Sequence, residues 1–220
     1  MGELLSKVLP LALGAAVSPT SLAALLVVLS GKRPIARGAA FLVAWLTVLL
    51  GLTAIGLWGV RQTTPNPAAS QVGHVVDGIA GILLLLLALG TVLRAALRDP
   101  AAPAAEEDPT ADHRPGLRGA FLLGLAMMVT NLSTILLYLP AMHAIATAHV
   151  ARADEVTAAI LAFLVTSLPV TAPFTLRLAA PGVSSRAFAR LHEYLTKHQR
   201  QIGVAVEVLF GVWLLVKALR

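Results

Sequence analysis

Cysteine is absent from the 220 residues. That excludes disulfides, thiolate metal ligands and dithiol redox relays. Charge is scarce as well. Asp, Glu, Lys and Arg make up 13% of the chain, against roughly 25% in a soluble domain. No glycine-rich phosphate loop follows a strand pattern, and no nucleophile–base pairing stands out. The six histidines, at 74, 113, 143, 149, 192 and 198, show no metal-ligand spacing within one helix. Acids, histidines and arginines are scattered rather than clustered, which disfavours an intramembrane hydrolase. No enzymatic activity, metal or cofactor is expected.

Apolar sequence dominates. Hydrophobic residues form 57% of the chain and the mean hydropathy is +0.81. Long apolar runs of this kind indicate a polytopic membrane protein. The net charge is +6, but the charges sit in short stretches between apolar runs. Topology and anionic lipid explain them better than nucleic acid does.

The chain repeats itself. QVGHVVDGIAGILLLL at 71–86 matches QIGVAVEVLFGVWLLV at 201–216, a shift of 130 positions. Gln71, Gly73, Gly81 and Leu85 fall on Gln201, Gly203, Gly211 and Leu215, and Asp77 falls on Glu207. LALGAAVSPTSLAALLVVLS at 11–30 matches FLLGLAMMVTNLSTILLYLP at 121–140, placing Gly14 on Gly124 and Thr20 on Thr130. Leucine matches are cheap in membrane helices; the Gly, Gln, Thr and acid matches are not. Duplicated hydrophobic units build many secondary transporters.

Six spans are expected, at 4–29, 38–60, 74–96, 117–139, 155–178 and 201–219, each near the ~20 residues needed to cross. The first resembles a signal peptide, but Glu3 offsets Lys7 and the segment matches an internal span, so it is expected to be retained. Alternate connections carry twelve basic residues: Lys32, Arg33 and Arg37; Arg94, Arg98, Arg114 and Arg118; Arg177, Arg186, Arg190, Lys197 and Arg200. The opposite side carries five, Lys7, Arg61, Arg152, Lys217 and Arg220. The basic side is expected to be cytoplasmic and both termini extracytoplasmic. Three spans per repeat is an odd number, so the second repeat enters the membrane inverted. The predicted fold is an all-α membrane protein of six transmembrane helices, as two inverted three-helix repeats, 1–97 and 117–220. The segment 98–116, rich in Pro, Ala and acids, reads as a flexible linker. Between spans 5 and 6, residues 184–200 place Ala187, Phe188, Leu191, Tyr194 and Leu195 at helical spacing, with Arg186, Arg190, Lys197 and Arg200 on the remainder. This suggests an amphipathic cytoplasmic helix whose basic residues meet lipid headgroups; a solvated connector is the alternative.

Candidate chemistry lies in three places. Span 1 carries Ser18, Pro19, Thr20 and Ser21 near its centre, and span 4 carries Thr130, Asn131, Ser133 and Thr134 at the matching depth. Pro19 removes a backbone donor and frees a carbonyl one turn earlier. Polar, broken helix centres at matching repeat positions point to a substrate site, although hydroxyls bonded to their own helices and an Asn gluing helices together give the same pattern. Asp77 and Glu207 are ionisable residues inside apolar helices, expected one near each mouth rather than as a dyad. They read either as gating or proton-coupling groups or as partly hydrated polar glue. His74, one turn before Asp77, is a candidate partner. Pro169 and Pro173 in span 5 should kink or unwind it, as a hinge or a static bend.

The opening VLPLALGAAVSPTSLAALLVVLSGKRP, the fourth span centred on Asn131, and the stretch from SLPVTAP through RLHEYLTKHQRQIGVAVEVLFGVWLLVKAL together resemble the actinobacterial GAP family. That family includes the sulfolipid-addressing, Sap-like proteins and belongs to the lysine-exporter (LysE) superfamily. The resemblance covers nearly the whole chain. It implies a six-helix inverted-repeat transporter-like protein; some members are linked to moving cell-envelope glycolipids outward, and superfamily relatives export amino acids or cations. The family often has an Asn-Pro-Lys-type motif in span 4. This chain keeps Asn131 but has Leu132 and Ser133 in place of Pro and Lys, so a substrate contact made by that lysine does not carry over.

The expected function is a bacterial inner-membrane exporter moving a lipid or amphipathic envelope component by alternating access. Export of a small polar or cationic solute, or a non-transporting assembly role in envelope lipid biosynthesis, are the rivals. The expected partners are membrane lipids and the transported substrate, with no nucleic acid; a homo-oligomer is left open.

Overall fold

Proline and asparagine divide two of the expected spans. The computed structural model describes residues 1–30, 33–61, 68–96, 116–148 and 150–219, and every regular element in them is an α-helix. Helix α1 (Gly2–Ala16) stops before Pro19, which opens α2 (Pro19–Leu29) at the first helical position, where a missing N–H costs nothing. The two meet at 52°. Further along, α5 (Leu117–Val129) and α6 (Leu132–Ala146) meet at 64°. There the break has no proline. Asn131 leaves the helical conformation and caps α6, its side chain accepting from the Thr134 N–H at 3.3 Å.

Two long helices follow each broken pair: α3 (Pro34–Arg61) and α4 (Ala68–Ala96), then α7 (Arg152–Ala179) and α8 (Pro181–Ala218). Helix α3 shows why they sit in a membrane. Phe41, Ala44, Trp45 and Leu49 are buried at helical spacing, yet the opposite face exposes Val43, Leu50 and Ile55. A helix apolar all round needs an apolar solvent. Among the described residues three segments are long and apolar enough to cross, Pro34–Trp58, Arg152–Ala179 and Arg190–Ala218, and five if each bent pair counts as one span. Among the described residues, the apolar stretch of α4 is Asp77–Leu93, shorter than the ~20 residues that crossing requires. This is a multi-pass helical membrane protein. The expected linker 98–116 lies outside the described residues, Gly116 apart.

One expectation needs correction. The segment 184–200 is not a separate surface helix: it is continuous with the last span in the 38 residues of α8. No Gly or Pro interrupts the chain from Val183 to Ile202, so nothing ends the helix. At 1.5 Å per residue α8 is roughly 57 Å long, well beyond a hydrocarbon core of about 30 Å. Its expected apolar stripe is divided, with Phe188 and Leu195 buried and Leu191 and Tyr194 exposed. Of the kink or unwinding expected at Pro169 and Pro173, the unwinding does not occur: α7 stays helical from Arg152 to Ala179. Ser167, Thr171 and Thr175 donate to the carbonyls of Leu164, Ser167 and Ala172 around the prolines.

One hydrophobic core runs through both halves, from Leu11, Leu25 and Trp45 to Tyr138, Ala162 and Leu214. The packing pairs have a pattern. Helix α3 packs on α5 and α7 on α1; α3 on α6 and α7 on α2; α4 on α6 and α8 on α2; α1 on α6 and α5 on α2. Exchanging α1–α4 with α5–α8 carries these pairs onto one another, and α4–α8 and α3–α7 onto themselves. The α7–α8 and α1–α8 contacts stand outside the exchange.

The α4–α8 crossing is reciprocal in atomic detail. A methyl group on Gly81 would lie 2.9 Å from the Gly211 carbonyl oxygen, and one on Gly211 would lie 3.1 Å from that of Gly81. Leu215 covers Gly81 and Leu85 covers Gly211. These are the repeat mates. The missing side chains let the two backbones approach. Since Gly78 meets Ala218 and Leu85 meets Gly211, the helices run antiparallel.

Candidate functional site

The two helix breaks meet, and one side chain joins them. The Asn131 amide Nδ2 donates to Ser18 Oγ at 2.7 Å and to Ser21 Oγ at 3.4 Å. Ser18 Oγ donates to Ser21 Oγ at 3.0 Å. On its other side, Asn131 Oδ1 accepts from Ser133 Oγ at 3.1 Å as well as from the Thr134 N–H. An amide carries donors and acceptors together, and here it uses both, one toward each break.

Thr134 completes the junction. Its Oγ1 donates to the Ala15 carbonyl at 2.9 Å. Ala15 lies four residues before Pro19, so its carbonyl is the one left without a helical donor by the proline ring. Thr166 Oγ1 of α7 donates to the Ala12 carbonyl at 3.3 Å. The unwound end of α1 is thus held by hydroxyls from the second half of the chain. A further, half-buried latch ties Thr53 Oγ1 to Tyr138 Oη at 2.8 Å.

A cavity of about 230 Å³ opens beside this junction. Thr20 and Ser21 of α2, Thr130, Asn131 and Ser133 at the second break, and Glu207 of α8 supply its polar wall; Leu87, Met127 and Leu132 supply the rest. Of the eight residues expected at the centre, five therefore line the cavity. Thr134 and Pro19 are buried in the junction itself, and Ser18 serves as the Asn131 acceptor. The Thr130 hydroxyl also donates to its own helix, at the Ala126 carbonyl.

The two acids have different surroundings. Asp77 is buried and pairs with Lys217 Nζ at 2.7 Å; the ammonium also lies 5.8 Å from the centre of the Trp213 ring. Glu207 stands in the cavity wall, and its Oε2 is buried with no hydrogen-bond partner. Its neighbour in the wall, Leu87, is ten residues along α4 from Asp77, or about 15 Å of helix. The acids are not a dyad. Sequence reasoning missed Lys217, Leu87 and Met127. The repeat offset held a signal for the first: 130 positions before Lys217 is Leu87, an unmatched charge. The His74 side chain lies outside the described residues. Arg190, Lys197 and Arg200 of α8 are exposed, and the Arg186 side chain lies outside the described residues. Among the described residues no group of three His, Asp or Glu side chains is placed to hold a metal ion.

A family model described as Sap, sulfolipid-1-addressing protein, matches residues 8–220. The chain belongs to that family. The match takes in both broken helix pairs, the Asn131 junction, Asp77 and Glu207, so the whole candidate site lies inside the region that defines a Sap protein. No curated protein and no solved structure matches the chain.

Proposed function

We propose that the chain moves a lipid or amphipathic cell-envelope component across the membrane by alternating access, as an inverted-repeat transporter of the lysine-exporter superfamily. One observation carries this reading: the cavity lies where two broken helices meet and takes its polar wall from both. Broken helices at matching repeat positions are how such transporters build a substrate site in lipid. The N-terminal turns of α2 and α6 both reach the cavity through Thr20, Ser21, Leu132 and Ser133. Helix N-termini favour anions, which suits the acidic headgroup that the words sulfolipid-1-addressing imply for this family. The cavity is smaller than the ~300–1,000 Å³ of drug-sized sites. It suits a headgroup, with the lipid tails left against the exposed apolar faces outside.

The antiparallel α4–α8 crossing and the exchangeable packing pairs support two repeats of opposite orientation. In this reading each bent pair is one span and α4 crosses as well, which gives six. The basic bias favours both termini outside a bacterial inner membrane. Glu207 favours a second reading, since a carboxyl whose Oε2 has no partner would also attract a cationic solute. An assembly role in lipid biosynthesis fits the same fold. Reconstituted vesicles separate the three. Dithionite quenching should report protein-dependent movement of a fluorescent sulfated glycolipid between leaflets, with no flux of radiolabelled lysine. Lysine flux without lipid movement would replace this reading with the solute exporter, and neither would leave the assembly role.

A further inference from the structure

The repeat gives each acid a counterpart environment, and the two environments differ by one charge. The shift of 130 maps Asp77 onto Glu207, Gly81 onto Gly211 and Leu87 onto Lys217. Because the α4–α8 contact is reciprocal around Gly81 and Gly211, what lies beside one acid has a mate beside the other. Asp77 meets Lys217. Glu207 shares the cavity wall with Leu87. The ammonium that neutralises the first acid is a leucine at the second, and a cavity opens there.

We propose that this cavity is the binding site of one exchangeable monovalent cation, a proton or a sodium ion, held by Glu207 in the place that Lys217 fills at Asp77. Three observations converge. Glu207 is half-buried, its Oε2 is buried and has no donor, and a carboxylate oxygen taken out of water without a hydrogen-bond partner is costly. The remaining polar wall is neutral oxygen chemistry, the hydroxyls of Thr20, Ser21, Thr130 and Ser133 with the Asn131 amide, as hard cations require. None of the other lining residues, from α2, α4, α5, α6 or the breaks, is charged or titratable, so beyond the two helix N-termini no side chain in the wall supplies a counter-charge to Glu207. The volume also admits an ion with water, since each water occupies about 30 Å³. The use of this cation rests on the transporter reading: it would let an anionic headgroup enter beside Glu207. The binding itself does not depend on transport.

The test is equilibrium binding to purified protein in detergent, without substrate or flux, so its failure is separate from failure of the transport assay. One arm measures radioactive sodium binding; the other records the infrared C=O band of a protonated carboxyl group as pH is lowered. Wild type should show saturable sodium binding, or a carboxyl band, that is lost in Glu207→Gln. Sodium binding identifies a sodium site; the band without sodium binding identifies a proton site. Leu87→Lys should also abolish the signal, because it supplies the counter-charge internally. Should that variant not fold, Glu207→Gln decides alone, an isosteric neutral change that removes no observed hydrogen bond. The proposal is overturned if wild type shows neither signal, if Glu207→Gln retains it, or if folded Leu87→Lys binds sodium as wild type does.

Discussion

Lys217→Met should be among the most destabilising single substitutions in this protein. It leaves Asp77, 6% exposed, without the ammonium 2.7 Å away. Breaking a buried ion pair by removing one partner costs about 3–5 kcal/mol, because the remaining charge is uncompensated. Lys217 keeps a third of its side chain exposed, so some solvent reaches the pair and the lower end applies. Adding Asp77→Asn removes the stranded charge and should recover most of the loss. Glu207→Gln should cost almost nothing by comparison, since the Oε2 it replaces has no partner. Thermal melts of the four proteins in one detergent read these differences directly. Equal destabilisation by Lys217→Met and Glu207→Gln would mean the two acids are not in the different environments described.

Asn131→Ala should separate transport from stability. The side chain donates to Ser18 in the first break and to Ser21 of α2, and accepts from the first turn of α6. Polar contacts between membrane helices average only ~0.6 kcal/mol, and loss of a helix cap costs about 1 kcal/mol. The melt should therefore shift modestly. Lipid movement should fall by about tenfold or more, the equivalent of ~1.4 kcal/mol in the barrier, because the residue fixes both breaks relative to the cavity. Ser30→Ala is the control: its hydroxyl donates only to the Leu26 carbonyl of its own helix. Initial rates per folded protein measure the effect, and wild-type rates from folded Asn131→Ala would remove the junction from the transport path.

The parts of this structure that local chemistry decides could be read from the chain. Pro19 pointed to the first break because it frees a carbonyl one turn earlier, although Pro169 and Pro173 leave α7 continuous. The second break was visible as a polar cluster but not as a break, since an Asn that caps and an Asn that glues helices look alike until the backbone turns. Gly81 and Gly211 could be matched as repeat mates in the chain, but that they meet each other could not be read from it. Pairing across the fold was not legible. Lys217 finds Asp77 through the register of two helices that lie 140 positions apart, and register is set by packing around the two glycines. The continuity of α8 was misread for a related reason. Its amphipathic and apolar parts differ in composition, but composition does not end a helix; a breaker does, and none stands between Val183 and Ile202.

Because the chain contains no cysteine, a single introduced thiol is the only one present, and this gives the most direct test of a cavity that opens to each side in turn. Ser133→Cys places it in the cavity wall beside Asn131. In sealed vesicles a membrane-impermeant thiol reagent should modify it from either face, and the sulfated glycolipid should protect it from both. Modification from one face only, with no protection by lipid, would contradict an alternating site at the meeting point of the two broken helices.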